Sequence, residues 1–408
     1  MVKSIQKRHC MVVDARYPLG ETRVQREAEA LVQHGYEVDV ICPRTPGEIP
    51  IDQYRGVRIY REKYHVPRCF RKYSAPVYQL LKYIRFFVSA GVRLARLHKQ
   101  HRYDTVQVHN LPDFLVFCAL VPKLSGVPII LDLHDLMPEF YACRFGHRWN
   151  SLPGRLVRWQ ERLACRFADH VITVSEHWRQ TLVGRGVPAD KCSVVMNVAD
   201  EDIFYVPEDS RPHLPENSEM RLIYHGTIVH RYGLDLAIRA VERIRHEIPN
   251  IHLAILGVGH DVDALVQLVE DLDLGDHVAI HRGLRPAEEL PEIIRAAHVG
   301  VVPYRNDIFT DGLLPTKLME YAALGLPSIA ARTSAIEAYF ADTMVELFEP
   351  GDADDLARCI RKLYDSPERL AELVQGSKKF NERYNWAKIG ADYVALVERL
   401  GSRQMRGG

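Results

Sequence analysis

The sequence predicts an α/β protein of two domains, each built around a parallel, doubly wound sheet. Its 408 residues are about two to three times the length of an ordinary domain. Along both halves, short β-branched runs alternate with helical patterns of about 10–15 residues, which is typical of parallel sheets with crossover helices. The chain is 47% hydrophobic and 26% charged, so it can bury a core without a metal or a cross-link.

The strands are predicted from apolar runs bounded by turn residues. Seven runs lie in the first half, at 9–15, 36–42, 57–60, 105–109, 127–135, 170–175 and 192–197. Six lie in the second half, at 221–226, 251–257, 277–283, 299–304, 327–331 and 344–349. The stretch 206–220 has three prolines and almost nothing to bury, so it is interpreted as a linker. The domains are therefore predicted at 1–205 and 221–385, followed by a helix and tail at 386–408.

Charge and cysteine spacing exclude several classes of protein. Lys plus Arg equals Asp plus Glu at 53 each, which argues against a general nucleic-acid binder. The eight cysteines are never closer than 22 residues, so the paired spacing of zinc and redox sites is missing. Because the N-terminus has no signal-peptide core and no apolar run reaches about 18 residues, the chain is expected to be cytoplasmic.

Candidate catalytic residues follow two strands of the first domain. His109 ends the run 105–109, and His134 and Asp135 end the run 127–135. Ligands of doubly wound sheets bind beyond the carboxyl ends of the strands, so these side chains are expected to face a central cleft between the domains. The alternative is that each histidine only caps the following helix.

In the second domain, one segment suited to an anion lies between a strand and a helix. Gly226 and Thr227 follow the apolar part of the strand. Arg231 precedes a helix that begins near Gly233, where free N–H groups and the helix dipole favour a phosphate. A guanidinium can bind a phosphate through two hydrogen bonds, which makes Arg231 the candidate ligand. The alternative is an exposed loop arginine.

A second helix start in this domain is also suited to a ligand. Leu314, Pro315 and Thr316 lead into its first turn, whose N–H groups are available to a phosphate or a sugar hydroxyl. Lys317 adds positive charge there. Glu320 lies one turn further on, where a carboxylate can accept from both hydroxyls of a vicinal diol. The alternative is a surface ion pair between Lys317 and Glu320.

Cofactor and metal signatures are weak. Gly257 and Gly259 follow a strand, but the third glycine of the dinucleotide fingerprint is Val262. The Asp-x-Asp pairs follow no obvious strand, and pairs of this kind arise by chance among 53 acidic residues. We therefore expect neither a metal nor a cofactor.

The region 61–103 has the one strong charge bias of the chain, with eleven Lys or Arg against a single acid, Glu62. Aromatic residues are interleaved with the basic ones. Such a pattern on a helix suits an anionic membrane surface. The residues assigned to membrane contact are Lys82, Arg85, Arg93 and Arg96. The alternative is an ordinary basic helix whose aromatic face belongs to the core.

Over nearly its full length the chain resembles retaining glycosyltransferases of the GT-B fold, specifically family 4. The matching stretches occur in the order of the family and are GETRVQREAEALVQHGYEVDVI, DTVQVHNLPD, VPIILDLHDLMPE, DHVITVSE, SVVMNVAD, LIYHGTIVHRYGLDLAIRAV and LPTKLMEYAALGLPSIAA. The resemblance implies two Rossmann-like domains that face a central cleft, with a C-terminal helix that crosses back to the first domain.

The resemblance also assigns roles to particular positions. It implies that His134 lies near the transferred sugar, that Arg231 holds the donor diphosphate and that Glu320 binds the nucleotide ribose. The residues assigned to the donor are Gly20, Gly226, Thr227, Arg231, Arg282, Asp311, Leu314, Pro315, Thr316, Lys317 and Glu320. His109 and Asp135 are grouped with His134 as catalytic residues.

The chain departs from the family pattern at three positions. Thr227 stands where the family usually has a phosphate-binding arginine, and Tyr232 where it usually has a lysine. A second glutamate usually lies eight residues before the ribose glutamate, which is Gly312 here, with Asp311 beside it. The diphosphate is then expected to depend more on Arg231 and Lys317, and Asp311 becomes the candidate for the sugar hydroxyls.

The expected activity is metal-independent, retaining transfer of a hexose from a nucleoside-diphosphate sugar to a lipid-linked or polysaccharide acceptor. The expected location is peripheral, on the inner face of the plasma membrane. Two alternatives stay open: an epimerase or phosphorylase of the same fold, and a binding partner that keeps the nucleotide-sugar site without turnover.

Overall fold

A computed structural model of the chain describes residues 6–18, 22–63, 75–145, 149–206 and 219–405. The chain forms two compact units, one of residues 1–196 and 387–408 (unit 1) and one of residues 197–386 (unit 2). Each unit has its own sheet flanked by helices, so the predicted pair of doubly wound α/β domains is confirmed. The sequence placed the end of the first domain at residue 205. The predicted linker 206–220 lies largely outside the described residues.

Unit 1 contains an eight-stranded sheet in the order β3-β4-β2-β1-β5-β6-β7-β8. Its strands are β1 (Arg8–Val12), β2 (Glu37–Pro43), β3 (Ile51–Tyr54), β4 (Val57–Glu62), β5 (Thr105–His109), β6 (Ile129–Leu133), β7 (His170–Thr173) and β8 (Cys192–Val194). The strands pair in parallel except for the hairpin of β3 and β4.

The helices of unit 1 are α1 (Thr22–Gln33), α2 (Ala75–His101), α3 (Leu120–Leu124), α4 (Met137–Phe145), α5 (Leu152–Phe167) and α6 (Glu176–Gly184), with a 3-10 segment at Asp113–Ala119. Phe86 of α2, Cys165 of α5 and Trp178 of α6 belong to one buried core cluster with the strands. The last helix, α14 (Trp386–Met405), packs in unit 1, where the Tyr393 hydroxyl donates to Gln107 Oε1 at 2.7 Å.

Unit 2 contains a six-stranded parallel sheet in the order β11-β10-β9-β12-β13-β14. Its strands are β9 (Glu219–Thr227), β10 (Asn250–Val258), β11 (Val278–Arg282), β12 (Val299–Val302), β13 (Ser328–Ala331) and β14 (Glu346–Phe348). Its helices are α7 (Leu234–Ile244), α8 (Val262–Asp271), α9 (Leu290–Arg295), α10 (Thr316–Ala323), α11 (Ser334–Tyr339), α12 (Ala353–Asp365) and α13 (Pro367–Arg383).

All thirteen predicted strands are present, and β3 is the strand that the sequence did not predict. Its residues alternate between exposed and half-buried at the antiparallel edge of the sheet, so they lack the apolar run that marks the parallel strands.

The strand ends of unit 2 pack closely against one another. A side chain at Gly257 would place its Cβ 1.8 Å from the Gly226 carbonyl oxygen, and one at Gly259 would meet the Ile228 carbonyl oxygen at 1.7 Å. Glycine is therefore required here by the neighbouring strand, which explains a Gly-x-Gly pattern without a dinucleotide.

Candidate functional site

The buried centre of unit 1 is the carboxylate of Asp132, at the end of β6. Arg23 on α1 donates from Nε and Nη2 to the two Asp132 oxygens, both at 2.9 Å, and from Nη1 to the Val195 carbonyl at 2.6 Å. Its Nη2 also lies 3.2 Å from Glu27 Oε1, one turn along α1. All three side chains are buried, and burial raises the pKa of Glu27 well above its usual range, so Asp132 is the carboxylate that pairs with the arginine.

Two histidines complete this cluster. His109 Nδ1 lies 3.1 Å from an Asp132 oxygen and 3.1 Å from His134 Nε2. Burial alone would raise the pKa of Asp132, but Arg23 and the histidines hold it well below its usual range. Burial lowers the pKa of His109 to about 4, so this ring is neutral at physiological pH.

The predicted catalytic residues differ in their access to a ligand. His109 is fully buried, so its effect on a ligand passes through His134, which is 18% exposed at its side chain. His134 and Asp135 line a polar cavity of about 410 Å³ together with Asp14 and Lys82. Burial raises the pKa of Asp14 to about 7, and Lys82 opposes that shift.

Asn110 holds the turn that carries His134 and Asp135. Its Oδ1 accepts from the His134 backbone N–H at 2.8 Å, and its Nδ2 donates to the Asp135 carbonyl at 2.6 Å and to Asp113 Oδ1 at 3.0 Å. The strand-end histidine is thus positioned by a side chain from the neighbouring strand end.

Among the described residues, His109, Asp132 and His134 are the one group of three or more side chains whose ligand atoms, all within 4.8 Å of one another, could hold a metal ion. Arg23 already supplies a positive charge to this group, because both Asp132 oxygens accept its N–H groups. The bidentate pair competes directly with a metal for these lone pairs.

Unit 2 buries a cation in a different setting. Lys317 Nζ donates to the Tyr304 hydroxyl at 2.7 Å and lies 4.9, 5.0 and 5.3 Å from the ring centres of Tyr224, Tyr304 and Tyr232. We call these four side chains the tyrosine cage. Within the described part of the chain, no carboxylate lies within 4.0 Å of this ammonium group, so its charge is stabilised by rings and one hydroxyl.

The tyrosine cage lies at the end of β9. A Cβ at Gly226 would be 3.4 Å from Lys317 Cε and 3.6 Å from Nζ, so the lysine side chain lies directly against this strand end. The cage is tied to the last residue of β9, because the Tyr224 hydroxyl donates to the Thr227 carbonyl at 2.6 Å. Burial lowers the pKa of Lys317 to about 8, which Glu320 partly opposes.

Glu320 is bound by a histidine that the sequence did not single out. Its Oε2 lies 2.6 Å from His225 Nε2, and His225 Nδ1 lies 3.1 Å from the Tyr321 hydroxyl. The alternative of a surface ion pair between Lys317 and Glu320 is therefore not what the structure contains, since the carboxylate binds a histidine and the lysine a tyrosine. One Glu320 oxygen stays available to a further donor.

The turn that carries Arg231 is held by Arg305. Arg305 donates to both oxygens of Asp235 at 2.7 and 2.6 Å and to the His230 carbonyl at 2.9 Å. Its backbone N–H also donates to the Arg231 carbonyl at 3.0 Å. The Arg231 guanidinium lies over the Phe309 ring, 5.4 Å from its centre. Arg231 is half-buried on this turn, so it is not the exposed loop arginine of the alternative.

The remaining donor residues are less closely grouped. Asp311 accepts from the Ser334 backbone N–H at 2.9 Å, so one of its oxygens caps α11. Arg282 lies on the edge strand β11, where it binds Asp263 at 2.7 Å and is largely exposed. The turn Leu314, Pro315, Thr316 leads directly into α10, as predicted. Gly20 lies outside the described residues.

The basic helix α2 differs in detail from its prediction. Its aromatic residue Phe86 is buried in the core, and Phe87 packs edge-on against Phe114 at 5.9 Å. Lys82 lines the polar cavity, and Arg93 donates to Glu62 at 2.6 Å. The other two predicted contact residues, Arg85 and Arg96, are exposed. No helix in the described part of the chain is long and apolar enough to cross a bilayer.

Two doubly wound units with polar clusters at their strand ends define the GT-B class of α/β transferases. Residues 20–203 match the family model described as Glycosyltransferase Family 4, and residues 206–380 match the one described as Glycosyl transferases group 1. Together the two models cover most of the chain, which therefore belongs to the family 4-like glycosyltransferases of the GT-B fold.

Individual relatives are distant but cover most of the chain. A GDP-mannose-dependent alpha-(1-6)-phosphatidylinositol monomannoside mannosyltransferase from Mycolicibacterium smegmatis is 26% identical over 77% of this chain and 81% of that protein. Sucrose-phosphate synthase from Thermosynechococcus elongatus aligns with a TM-score of 0.74 at 18% identity, over 97% of this chain and 100% of that one. Anabaena HepE in complex with UDP aligns at 0.70 and 14%, over 96% and 100%.

Proposed function

We propose that the protein is a metal-independent, retaining glycosyltransferase that moves a hexose from a nucleoside-diphosphate sugar to a lipid-linked or polysaccharide acceptor at the inner face of the membrane. The observation that carries the proposal is the tyrosine cage, because a buried ammonium with no carboxylate partner among the described residues is suited to an anionic ligand. A diphosphate would supply the missing negative charge.

The chain's departures from the family pattern support this use of Lys317. Thr227 and Tyr232 occupy the positions of the usual arginine and lysine, and Tyr232 is a wall of the cage. The Lys317 ammonium lies beside Gly226, directly before Thr227. We infer that Lys317 and Arg231 together stabilise the charge that develops on the leaving diphosphate.

Glu320 is the proposed ribose ligand. His225 fixes its carboxylate at 2.6 Å, which leaves the second oxygen to accept from a ribose hydroxyl. A donor nucleotide lacking the 2′-hydroxyl should then lose affinity in the wild type and lose none in Glu320→Ala.

In unit 1, the polar cavity beside His134 is the proposed place of the acceptor hydroxyl. Asp14, Lys82 and Asn110 line it and can bind hydroxyl groups as donors or acceptors. Asp132 is bound by Arg23 and two histidines, so it is poorly suited to act as a nucleophile on the sugar. This supports front-side attack, in which the leaving phosphate takes the acceptor proton.

Metal independence rests on the same contacts. The positive charges proposed for the diphosphate are Lys317 and Arg231, and the group that could hold a metal in unit 1 is already neutralised by Arg23. Turnover is therefore expected to be unchanged by EDTA.

The membrane location rests on α2. Four large apolar side chains are spaced four residues apart along this helix, and all are exposed: Leu80, Ile84, Val88 and Val92. Exposed Arg85 and Arg96 flank a groove lined by Ile84, Val88 and Val92. An apolar stripe beside basic side chains is suited to the interface of an anionic bilayer.

The first test is calorimetric titration of UDP, GDP, ADP and their sugar conjugates, with and without EDTA. A ligand at one hundred times its dissociation constant also raises the free energy of unfolding by about 2.7 kcal/mol, so a thermal shift provides an independent readout. One base should bind in EDTA, and Arg231→Ala should weaken both binding and turnover. Arg361→Ala, which removes an exposed arginine of α12, is the control.

The outcomes separate the alternatives. Retention requires that the anomeric configuration of the product, measured by NMR at early times, equals that of the donor sugar. Nucleotide binding without turnover on any acceptor would favour the binding-partner alternative. Loss of binding in EDTA, restored by a divalent cation, would contradict metal independence.

A further inference from the structure

A second helix of unit 1 exposes an apolar face with the same character as α2. Leu152, Leu156 and Trp159 of α5 are 79%, 61% and 58% exposed. Their spacing of four and three residues places them on one side of the helix. An exposed tryptophan aligned with two exposed leucines is unusual for a surface that only faces water.

The charge of α5 identifies what this face would contact. Arg155, Arg162 and Arg166 are exposed and follow the apolar stripe along one flank, at spacings of seven and four. The one acid of the helix, Glu161, is buried and binds Arg185 at 3.0 Å. The exposed side of α5 therefore presents only positive charge beside its apolar residues.

The short helix α3 connects this face to α2. Phe114 packs against Phe87 of α2, and Phe117 packs against Phe167 of α5 at 5.1 Å. Both phenylalanines belong to the 3-10 segment, so this segment lies between α2 and α5 in one core cluster, and α3 continues from it against α2. The exposed residues of α3 are also apolar: Leu120, Val121 and Leu124.

Exposed apolar residues and basic residues are both concentrated on α2, α3 and α5. Ten of the seventeen large hydrophobic residues that the described chain exposes lie on α2, α3 and α5. The same three helices contain ten Lys or Arg and one acid, within a chain whose formal net charge is zero. This surface is complementary to an anionic bilayer, whose headgroups attract the arginines and whose interface accommodates tryptophan.

We propose that α2, α3 and α5 together form one membrane-docking surface, in which Trp159 is an interfacial anchor. The inference rests on the membrane location proposed above and extends it from one helix to a broad face of unit 1. A broad face fixes the orientation of unit 1 on the bilayer, whereas a single helix would leave it free to roll about the helix axis.

The test uses Trp159 as its own probe. The full chain is mixed with vesicles of phosphatidylcholine and about 30% phosphatidylglycerol, with and without bromine on the acyl chains. Brominated chains should quench part of the tryptophan emission, and Trp159→Phe should abolish that part. The other three tryptophans are retained in this variant: Trp149, Trp178 and Trp386.

Affinity gives a second readout. The double variant Leu156→Ser and Trp159→Ser should lower vesicle affinity about tenfold, as measured by sedimentation. Leu284→Ser, which removes an 80% exposed leucine in unit 2, should leave vesicle affinity unchanged. Circular dichroism of each variant checks that the fold is retained.

Failure of this inference is distinguishable from failure of the proposed function. If vesicles bind but Trp159 is not quenched, α5 does not contact the membrane, and membrane contact by α2 alone would remain as proposed. Absence of vesicle binding in the wild type would overturn both membrane statements, while transfer to a soluble acceptor tests catalysis separately. A dimer in light scattering that Leu156→Ser dissociates, without lipid binding, would assign this face to a second copy of the chain.

Discussion

Both units bury a cation near the carboxyl ends of a parallel sheet, but they neutralise it in opposite ways. Arg23 in unit 1 pairs with the Asp132 carboxylate and also contacts the carboxyl group of Glu27. Lys317 in unit 2 touches a tyrosine hydroxyl and three rings. The charge of Arg23 is neutralised by a carboxylate of the same unit, whereas Lys317 has no anion beside it among the described residues.

The difference explains why the two sites are suited to different tasks. A buried arginine paired with the Asp132 carboxylate holds three segments of unit 1 together and has no charge left for a ligand. A buried lysine among rings costs stability until an anion arrives, and its pKa of about 8 reflects that cost. The Arg23 cluster of unit 1 is therefore suited to fixing the position of His134, and Lys317 of unit 2 is suited to binding an anionic ligand.

The largest effect is expected for Arg23→Met, which would leave Asp132 and Glu27 buried without their cation. Breaking one side of a buried ion pair costs about 3–5 kcal/mol in the free energy of unfolding. Urea denaturation measures this loss. Arg16→Met removes an arginine that is 57% exposed and bound to Glu48, and should change stability by less than about 0.5 kcal/mol. Equal stabilities of the two variants would contradict the stabilising role of Arg23, and with it the contrast to Lys317.

Lys317→Met should have opposite effects on stability and on binding. The folded pKa of about 8 lies below the ordinary 10.5, so the charged lysine destabilises the fold below pH 8 by an amount on the order of 3 kcal/mol. Methionine removes that cost, and the melting temperature should rise at pH 7. Nucleoside-diphosphate affinity should fall about 100-fold. A variant that loses stability as well as affinity would contradict the unpaired cation.

Lys362→Met is the control for this variant. Its lysine lies on α12 and binds Glu346 at 2.6 Å, so its loss should lower stability slightly and leave nucleotide affinity unchanged.

A pH titration sharpens the same comparison. Because Lys317 is charged below its pKa, nucleoside-diphosphate affinity should be highest below about pH 8 and fall roughly 25-fold by pH 9.5. Lys317→Arg stays charged over this range, so its affinity should be flat with pH even if its absolute value is lower. Calorimetry in buffers of different ionisation enthalpy also reports proton uptake on binding near pH 8. A flat wild-type profile would contradict the assignment.

The smallest effect is expected for Asp311→Ala. One Asp311 oxygen caps α11 through the Ser334 N–H, and loss of such a cap costs about 1 kcal/mol. If the cap is its whole role, the melting temperature falls while the KM for the donor stays unchanged. A tenfold rise in KM, with sugar-specific dependence, would instead make Asp311 the substitute for the glutamate missing at Gly312.

The fold class and the strand ends that carry the sites could be predicted from the residue pattern alone. Parallel strands buried on both faces must be continuous apolar runs, so all thirteen could be found without knowledge of their partners. The same runs placed His134, Gly226 and Lys317 at strand or helix ends. The antiparallel edge strand β3 was not predicted, because its four residues include Asp52 and Gln53 and form no apolar run.

The pairing of the buried charges, in contrast, could not be predicted before the fold was known. Arg23 and Asp132 are 109 residues apart, and His225 and Glu320 are 95 apart, so no local spacing signals either pair. Sequence proximity left open an ion pair of Lys317 with Glu320, yet packing places the lysine among three tyrosines from other segments. The physical reason is that periodicity reports burial along one element, whereas the partner of a buried charge is chosen by the packing of several elements.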